Sequence, residues 1–315
     1  MVMKKILISF FVLLILFVLI SFGGGYYLID VALVPKNAGE KDLVESYKVM
    51  CKEYPYIKPW ADSLKSNGLL KDIYKVDGKD TIHAYYIEAN QVSKKTAVVV
   101  HGYTDNAIRI FQIAYMYHHD LGYNVLIPDL KYHGLSQGES IQMGWKDRLQ
   151  VEDWMDSAHK LWPNSNMLVH GISMGAATTM MVSGDIQDSY VKCFIEDCGY
   201  TSVWDQFSKE LKEDYGMPSF PILNCANLIC NYKYGWDFKE ASALEQVRKS
   251  TLPIFFIHGN IDTYVPTHMV YSLYKAKKGE KKLWVVKDAK HAVSYQNNKE
   301  EYTRRVREFT EKYMN

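Results

Sequence analysis

The stretch VHGISMGAATTM, Val169 to Met180, sets one serine between two glycines, after the apolar run NMLVH and before a segment rich in small residues. Serine is a mediocre residue for either a helix or a strand, so its place at this junction asks for a reason. Gly171-Ile172-Ser173-Met174-Gly175 fits the pattern G-x-S-x-G between a strand and a helix. That turn is so sharp that the serine is held in a strained backbone conformation, and glycine on either side avoids steric conflict. Strain of this kind exposes the hydroxyl at the top of a sheet. It also aims the N–H of the next residue, Met174, and the positive end of the following helix at a point where negative charge can develop. The spacing predicts a helix over Met174 to Ser183 and a candidate nucleophile at Ser173.

Outward from that turn, short β-branched runs alternate with helical segments. TAVVVHG (from Thr96) is followed by a helical pattern from Ala107 to Leu121, NVLIPD by Trp145 to Trp162, and NMLVHG by the helix already described. VKCFIED, LPIFFIHG, a helix from Pro266 to Lys277, LWVVKD and a terminal helix from Lys299 to Tyr313 complete the series. Strands apolar on both faces, alternating with helices, predict a mostly parallel sheet wound on both sides. Before it, Ile73 to Val76 and Thr81 to Glu88, separated by Asp77-Gly78, predict an antiparallel hairpin. Residues 37 to 70 read as a polar helical connector. The rhythm breaks between Gly199 and Ser250, a stretch rich in Trp, Tyr and Phe, which predicts a helical cap inserted at about residues 201–248 over the carboxyl edge of the sheet.

Three of the strands end in His-Gly: His101-Gly102, His170-Gly171 and His258-Gly259. Ligands of open α/β sheets bind outside the carboxyl ends of the strands. The glycines read as tight turns there, and no carboxylate spacing completes a metal site. At this point the chain resembles the α/β-hydrolase superfamily from about Ile73 to its end. The family order is serine, acid, histidine, and Asn260-Ile261-Asp262-Thr263-Tyr264-Val265-Pro266 is similar to its acid loop, while His291 follows the last strand where the family carries its base. Asp129 to Ser136 is like the family's loop behind the fourth strand, and His101-Gly102-Tyr103 stands in the place of its oxyanion loop. The resemblance implies Ser173 as nucleophile, His291 as general base, Asp262 as its orienting acid, and the backbone N–H groups of Met174 and Tyr103 as oxyanion donors. Asp197, ending VKCFIED, is the rival acid. His118-His119-Asp120 reads as a favourable charge arrangement at a helix end, Asp129 and His133 as structural, and Asp105 as a turn residue. No metal or organic cofactor is expected.

At the amino terminus, Ile6 to Ile29 holds 24 residues without a charge, preceded by Lys4 and Lys5. A helix of that length reaches about 36 Å, enough to cross a hydrocarbon core of about 30 Å. An uncleaved anchor over residues 1–36 is favoured, with Tyr26, Tyr27 and Trp60 near the interface; a secretory signal cleaved near Ser21-Phe22-Gly23 is the alternative. The leading lysines place the domain at 37–315 on the extracytoplasmic side, although Lys36 and Lys41 weaken the asymmetry. With 37 basic and 36 acidic residues the chain carries no electrostatic footprint for nucleic acid. Of five cysteines, only Cys225 and Cys230 are worth testing as a disulfide, and on one regular helix they are too far apart.

These features predict hydrolysis of an ester, or of a thioester or amide, bearing an apolar acyl or aryl group, with a small molecule or short peptide as substrate. The alternatives are a peptidase-like amide hydrolase, for which Glu210, Glu213 and Asp214 are candidate amine-binding carboxylates, and a hydrolase-shaped binding protein without turnover.

Overall fold

The computed structural model describes residues 2–36 and 42–314, so Lys41 and the first residues of the expected connector lie outside the described residues. In chain order the elements are α1 (Val2–Leu33), α2 (Leu43–Glu53), α3 (Ile57–Ser66), β1 (Leu70–Asp77), β2 (Asp80–Ile87), β3 (Lys95–Val100), α4 (Phe111–Tyr115), β4 (Asn124–Pro128), α5 (Asp147–Leu161) and β5 (Asn166–Ile172). They continue with α6 (Met174–Ser183), β6 (Val191–Asp197), α7 (Val203–Tyr215), α8 (Ile222–Tyr234), α9 (Ala243–Lys249), β7 (Ile254–Gly259), α10 (His268–Ala276), β8 (Lys281–Val286), α11 (Ser294–Asn297) and α12 (Lys299–Tyr313).

One eight-stranded sheet runs β1-β2-β4-β3-β5-β6-β7-β8. β1 and β2 pair antiparallel, β2 joins β4 antiparallel, and every further pairing is parallel. Successive residues of the central strands face opposite layers, as the pleat requires. Val98 and Val100 join the core that holds α5, α6 and the end of α1; Ala97 and Val99 join the core that holds α2, α3 and α12. The order of the strands reverses at β3: β4 lies on one side of it and β5 on the other. The loops leaving β3 and β5 therefore face each other across a topological switch point, where open α/β sheets hold their ligands.

Three local readings differ from expectation. The hairpin turn is Gly78-Lys79, because Asp77 pairs with Asp80 and Gly78 takes φ +64°. The segment from Ala107 to Asp120 is a 3-10 turn, then α4, then a π turn over Met116–Asp120. That wider turn lets His118 accept from Trp60 Nε1 at 3.2 Å and donate to the Glu88 carbonyl at 3.1 Å. Trp60 is accordingly a core residue of α3, not an interfacial one. All five cysteines are free thiols, Cys225 and Cys230 both on α8.

Within α1, an 18-residue window has a mean hydropathy of 3.0, and the helix is long and apolar enough to cross a membrane, the property of an anchor or a signal sequence. From Val2 to Ile20 its side chains are exposed. At its far end Ser21, Gly25, Ile29 and Leu33 are buried at four-residue spacing, a stripe along one face that packs on α8.

Candidate active site

Ser173 sits between β5 and α6 with φ +58° and ψ −119°. A non-glycine residue held there costs about 1–3 kcal/mol. Two backbone bonds hold it: its N–H donates to the Asp197 carbonyl at 2.9 Å, and its own carbonyl accepts from Ala177 at 3.0 Å. The flanking glycines are required by space. A Cβ on Gly171 would fall 2.0 Å from the Gly175 oxygen, and one on Gly175 would fall 2.1 Å from the Val100 oxygen.

Asp262 lies in the loop after β7 and His291 in the loop after β8. The structure brings both to the serine: His291 Nε2 is 2.8 Å from Ser173 Oγ, and His291 Nδ1 is 2.8 Å from Asp262 Oδ2. The other carboxylate oxygen, Oδ1, accepts the N–H groups of Tyr264 and Val265, each at 3.0 Å. Its own turn thus fixes the carboxylate. Burial alone would raise the Asp262 pKa, but hydrogen bonds from His258 and His291 outweigh it and bring it down to about 2. His258 had no such role in the sequence reading. It donates to the Val265 carbonyl at 2.9 Å and stands 3.4 Å from Asp262 Oδ2.

The rival acid, Asp197, accepts from Ser294 Oγ at 3.1 Å, and burial pushes its carboxyl up. Its neighbour Glu196 accepts from the Gly199 N–H at 3.0 Å, and burial, opposed by His258 and by that bond, raises it to about 8. Cys198, Asp262 and His291 bring potential metal-ligand atoms within 4.8 Å of one another. Both His291 nitrogens are engaged, however, and burial first of all holds the Cys198 thiol protonated, so the donors do not suit a metal.

Tyr103 follows Gly102 on the loop after β3, and a Cβ on Gly102 would lie 3.5 Å from Ser173 Cβ. Met174 is the first residue of α6. The two residues expected to supply oxyanion donors therefore flank the serine from the two sides of the switch point, and both line one cavity with it. The Tyr103 hydroxyl points away, donating to the Ala32 carbonyl of α1 at 2.9 Å.

The remaining singled-out residues are held by local partners. His101 donates to the Gly102 carbonyl through Nδ1 and accepts from Leu130 N–H through Nε2, and burial lowers its pKa. His170 is bracketed by the hydroxyls of Tyr117 and Tyr302, each at 2.9 Å. Asp129 accepts from Ala107 N–H, Leu135 N–H and His83 Nδ1, which ties three segments together. His133 bonds the Lys131 carbonyl, His119 bonds Asp120, and Asp105 pairs with Arg109.

Ser173 opens into a cavity of about 860 Å³, counting the space at its mouth. α7 and α8 wall it with Phe207, Leu211 and Leu223, and Phe238 closes it behind them. Of the three acidic residues noted in the sequence, Glu210 and Asp214 face the cavity, whereas Glu213 pairs with Lys209 at 2.8 Å. Glu210 accepts from Gln206 at 2.9 Å, and burial raises its pKa against that bond. Leu28, Ile29, Val31 and Ala32 of α1 complete the lining. The sequence reading missed them; the signals were the spacing of Ser21, Gly25, Ile29 and Leu33 and the small residues of that stretch.

The sequence profile of the prolyl oligopeptidase family matches residues 111–315. The chain is 29% identical over 229 residues to the uncharacterized protein YqkD of Bacillus subtilis (strain 168), covering 72% of this chain and 74% of that one. Among solved structures, the fold is similar to an esterase of Pyrococcus furiosus, Pf2001, with a TM-score of 0.64 and 24% identity over 80% of this chain and 96% of that one. It is also similar to an acylaminoacyl peptidase of Pyrococcus horikoshii, with a TM-score of 0.59 and 16% identity over 78% of this chain and 41% of that longer one.

Proposed function

Since the chain belongs to the prolyl oligopeptidase family and is a serine hydrolase of the α/β-hydrolase fold, we propose that it cleaves carboxylic esters with an apolar acyl group through an acyl-enzyme on Ser173. The observation that carries this reading is the continuous hydrogen-bonded series Asp262, His291, Ser173, with 2.8 Å at each step, ending in an apolar cavity. Ser173 Oγ bonds to the acyl carbon as its proton passes to His291 Nε2, and the imidazolium then gives that proton to the departing alcohol. Water repeats the sequence: its oxygen bonds to the acyl carbon as His291 takes its proton, and the imidazolium returns that proton to Ser173 Oγ as the acyl carbon–Oγ bond breaks and the acid leaves. Asp262, ionised well below neutral pH, keeps the imidazole proton on Nδ1. The N–H groups of Met174 and Tyr103 stabilise the oxyanion, each worth on the order of 10² to 10³ in rate.

An amide substrate with a free amine is the second reading, because Glu210 and Asp214 face the cavity. Glu210 is the weaker candidate for holding an ammonium group, since burial favours its neutral form and Gln206 already occupies one of its oxygens. The chain acts, in this proposal, as a single-pass membrane protein with its domain outside the cytoplasm.

Full-length protein treated with a fluorophosphonate should carry the adduct on Ser173 and should turn over p-nitrophenyl butyrate faster than aminoacyl p-nitroanilides. Faster cleavage of the anilides would favour the amine-binding reading. No adduct on folded protein would refute both.

A further inference from the structure

We propose that the distal end of α1 is a wall of the substrate site and selects a long acyl chain drawn from the bilayer in which the helix is anchored; this deepens the ester-hydrolase reading and rests on it. Leu28, Ile29, Val31 and Ala32 share one cavity with Ser173. Their placement is built in three ways. Ser21 and Gly25 let α1 approach the backbone of α8, where a Cβ on Gly25 would fall 2.7 Å from Ala226 N and 3.0 Å from Cys225 Cβ. Beyond them, the Ala32 carbonyl accepts from the Tyr103 hydroxyl at 2.9 Å, and the Leu33 carbonyl accepts from Ile141 N–H at 2.8 Å. Tyr103 thus joins the end of α1 to the loop that flanks Ser173.

The length of the helix sets the depth. About 20 helical residues cross the hydrocarbon core, so a span starting at Ile6 ends near Gly25. Leu28 to Ala32 then lie about 5–10 Å further along the axis at about 1.5 Å per residue, in and just beyond a headgroup layer of about 5–7 Å. The surface around the docked helix suits that depth: Tyr26 and Tyr27 on α1, Phe220 before α8, and Leu228 and Tyr232 on α8 are all exposed, and aromatic side chains favour the membrane–water boundary. Lys233 of α8 lies 5.9 Å from the Tyr26 ring centroid, a basic side chain at the same level. An acyl chain rising from the outer leaflet meets an apolar cavity one wall of which is the anchor itself.

The test uses full-length protein in lipid nanodiscs and two fluorophosphonates, one with a methyl and one with a dodecyl group. The readout is the ratio of their rates of labelling Ser173. Wild type should favour the dodecyl probe at least tenfold. Ala32→Phe, which fills the cavity from the α1 side, and Gly25→Leu, which lifts α1 off α8, should each lower that ratio at least tenfold; Leu13→Ala, on the lipid-exposed part of α1, should leave it unchanged. A dodecyl probe with a terminal diazirine, used on wild type alone, should crosslink to the segment Leu28 to Ala32 and so decides the matter even where a variant fails to fold. An unchanged ratio in Ala32→Phe, or crosslinks confined to other segments, would overturn the inference while leaving the hydrolase reading intact. Labelling by neither probe would instead remove Ser173 as nucleophile, and this inference with it.

Discussion

Asp262→Asn alters one atom of the site, and the hydrogen bonds already present decide its consequences. Oδ1 accepts two backbone N–H groups, from Tyr264 and Val265, each at 3.0 Å. Asparagine satisfies both only with its carbonyl oxygen, which turns its NH₂ group toward His291 Nδ1, 2.8 Å from the present Oδ2. The flipped amide would leave two backbone donors facing a third donor, at about 1–3 kcal/mol each. With the unflipped amide donating, Nδ1 must accept, so the imidazole proton moves to Nε2, the atom 2.8 Å from Ser173 Oγ. In that tautomer His291 donates to the serine and cannot take its proton. A loss in kcat on the order of 10⁴ is expected for such a change, which equals about 5.4 kcal/mol at about 1.36 kcal/mol per decade. The flip that would restore the tautomer costs about 2–6 kcal/mol in total, so even at its cheapest it leaves a loss of about 30-fold at about 1.36 kcal/mol per decade. The assay is kcat on p-nitrophenyl butyrate, with thermal melting by circular dichroism to show that the variant folds. A folded Asp262→Asn protein retaining more than about one tenth of the wild-type kcat would refute this reasoning, as would a comparable loss in Asp197→Asn instead.

Two further predictions separate backbone from side chain and folding from catalysis. Tyr103→Pro removes the N–H assigned to the oxyanion and should lower kcat on the order of 10² to 10³, whereas Tyr103→Phe keeps it and should stay within a few-fold on short esters; equal losses measured in parallel would reject the oxyanion role of the backbone. Glu196 has a folded-state pKa of about 8, above the ordinary value of about 4.3. The folded protein then holds a proton that the unfolded chain releases, so stability declines as pH rises from about 4.3 through about 8. Glu196→Gln should show a smaller drop in Tm between pH 5 and pH 8.5 than wild type, and parallel Tm profiles would show that this carboxyl is ionised in the folded protein.

The parallel sheet was legible because its strands are buried on both faces, which leaves near-continuous apolar runs such as those of β5 and β7, and because Gly171 and Gly175 stand where any Cβ would strike backbone. The serine, acid and histidine segments could be read because each follows its own strand, so a local pattern sufficed to put them at one edge. What could not be read locally is pairing across the fold. Nothing in the residues around His258 says that its Nε2 stands 3.4 Å from Asp262 Oδ2, or that Asp197 is occupied by Ser294. The π turn at Met116–Asp120 escaped for a related reason: its extra residue serves His118, whose partners Trp60 and Glu88 lie far away in sequence.

The amino-terminal helix shows the same limit in its sharpest form. Hydropathy ranks Leu13 and Leu28 alike, because lipid and protein interior are both apolar solvents for a leucine, yet Leu13 is exposed while Leu28 lines the cavity of Ser173. What distinguishes the two regions is residue size. Where α1 is exposed it carries mainly Ile, Leu, Phe and Val; where it docks it carries Ser21, Gly24 and Gly25, residues that weaken a helix by up to about 1 kcal/mol each. Three successive glycines are a poor choice for a helix whose only task is to cross a bilayer. Two of them make sense for a helix that must come close to another, since a Cβ on Gly24 would fall 3.2 Å from Ile222 Cγ2 and one on Gly25 2.7 Å from Ala226 N of α8. The cost in helix propensity is offset by a docked helix end, and that docking puts Leu28, Ile29, Val31 and Ala32 into the lining of the cavity that holds Ser173.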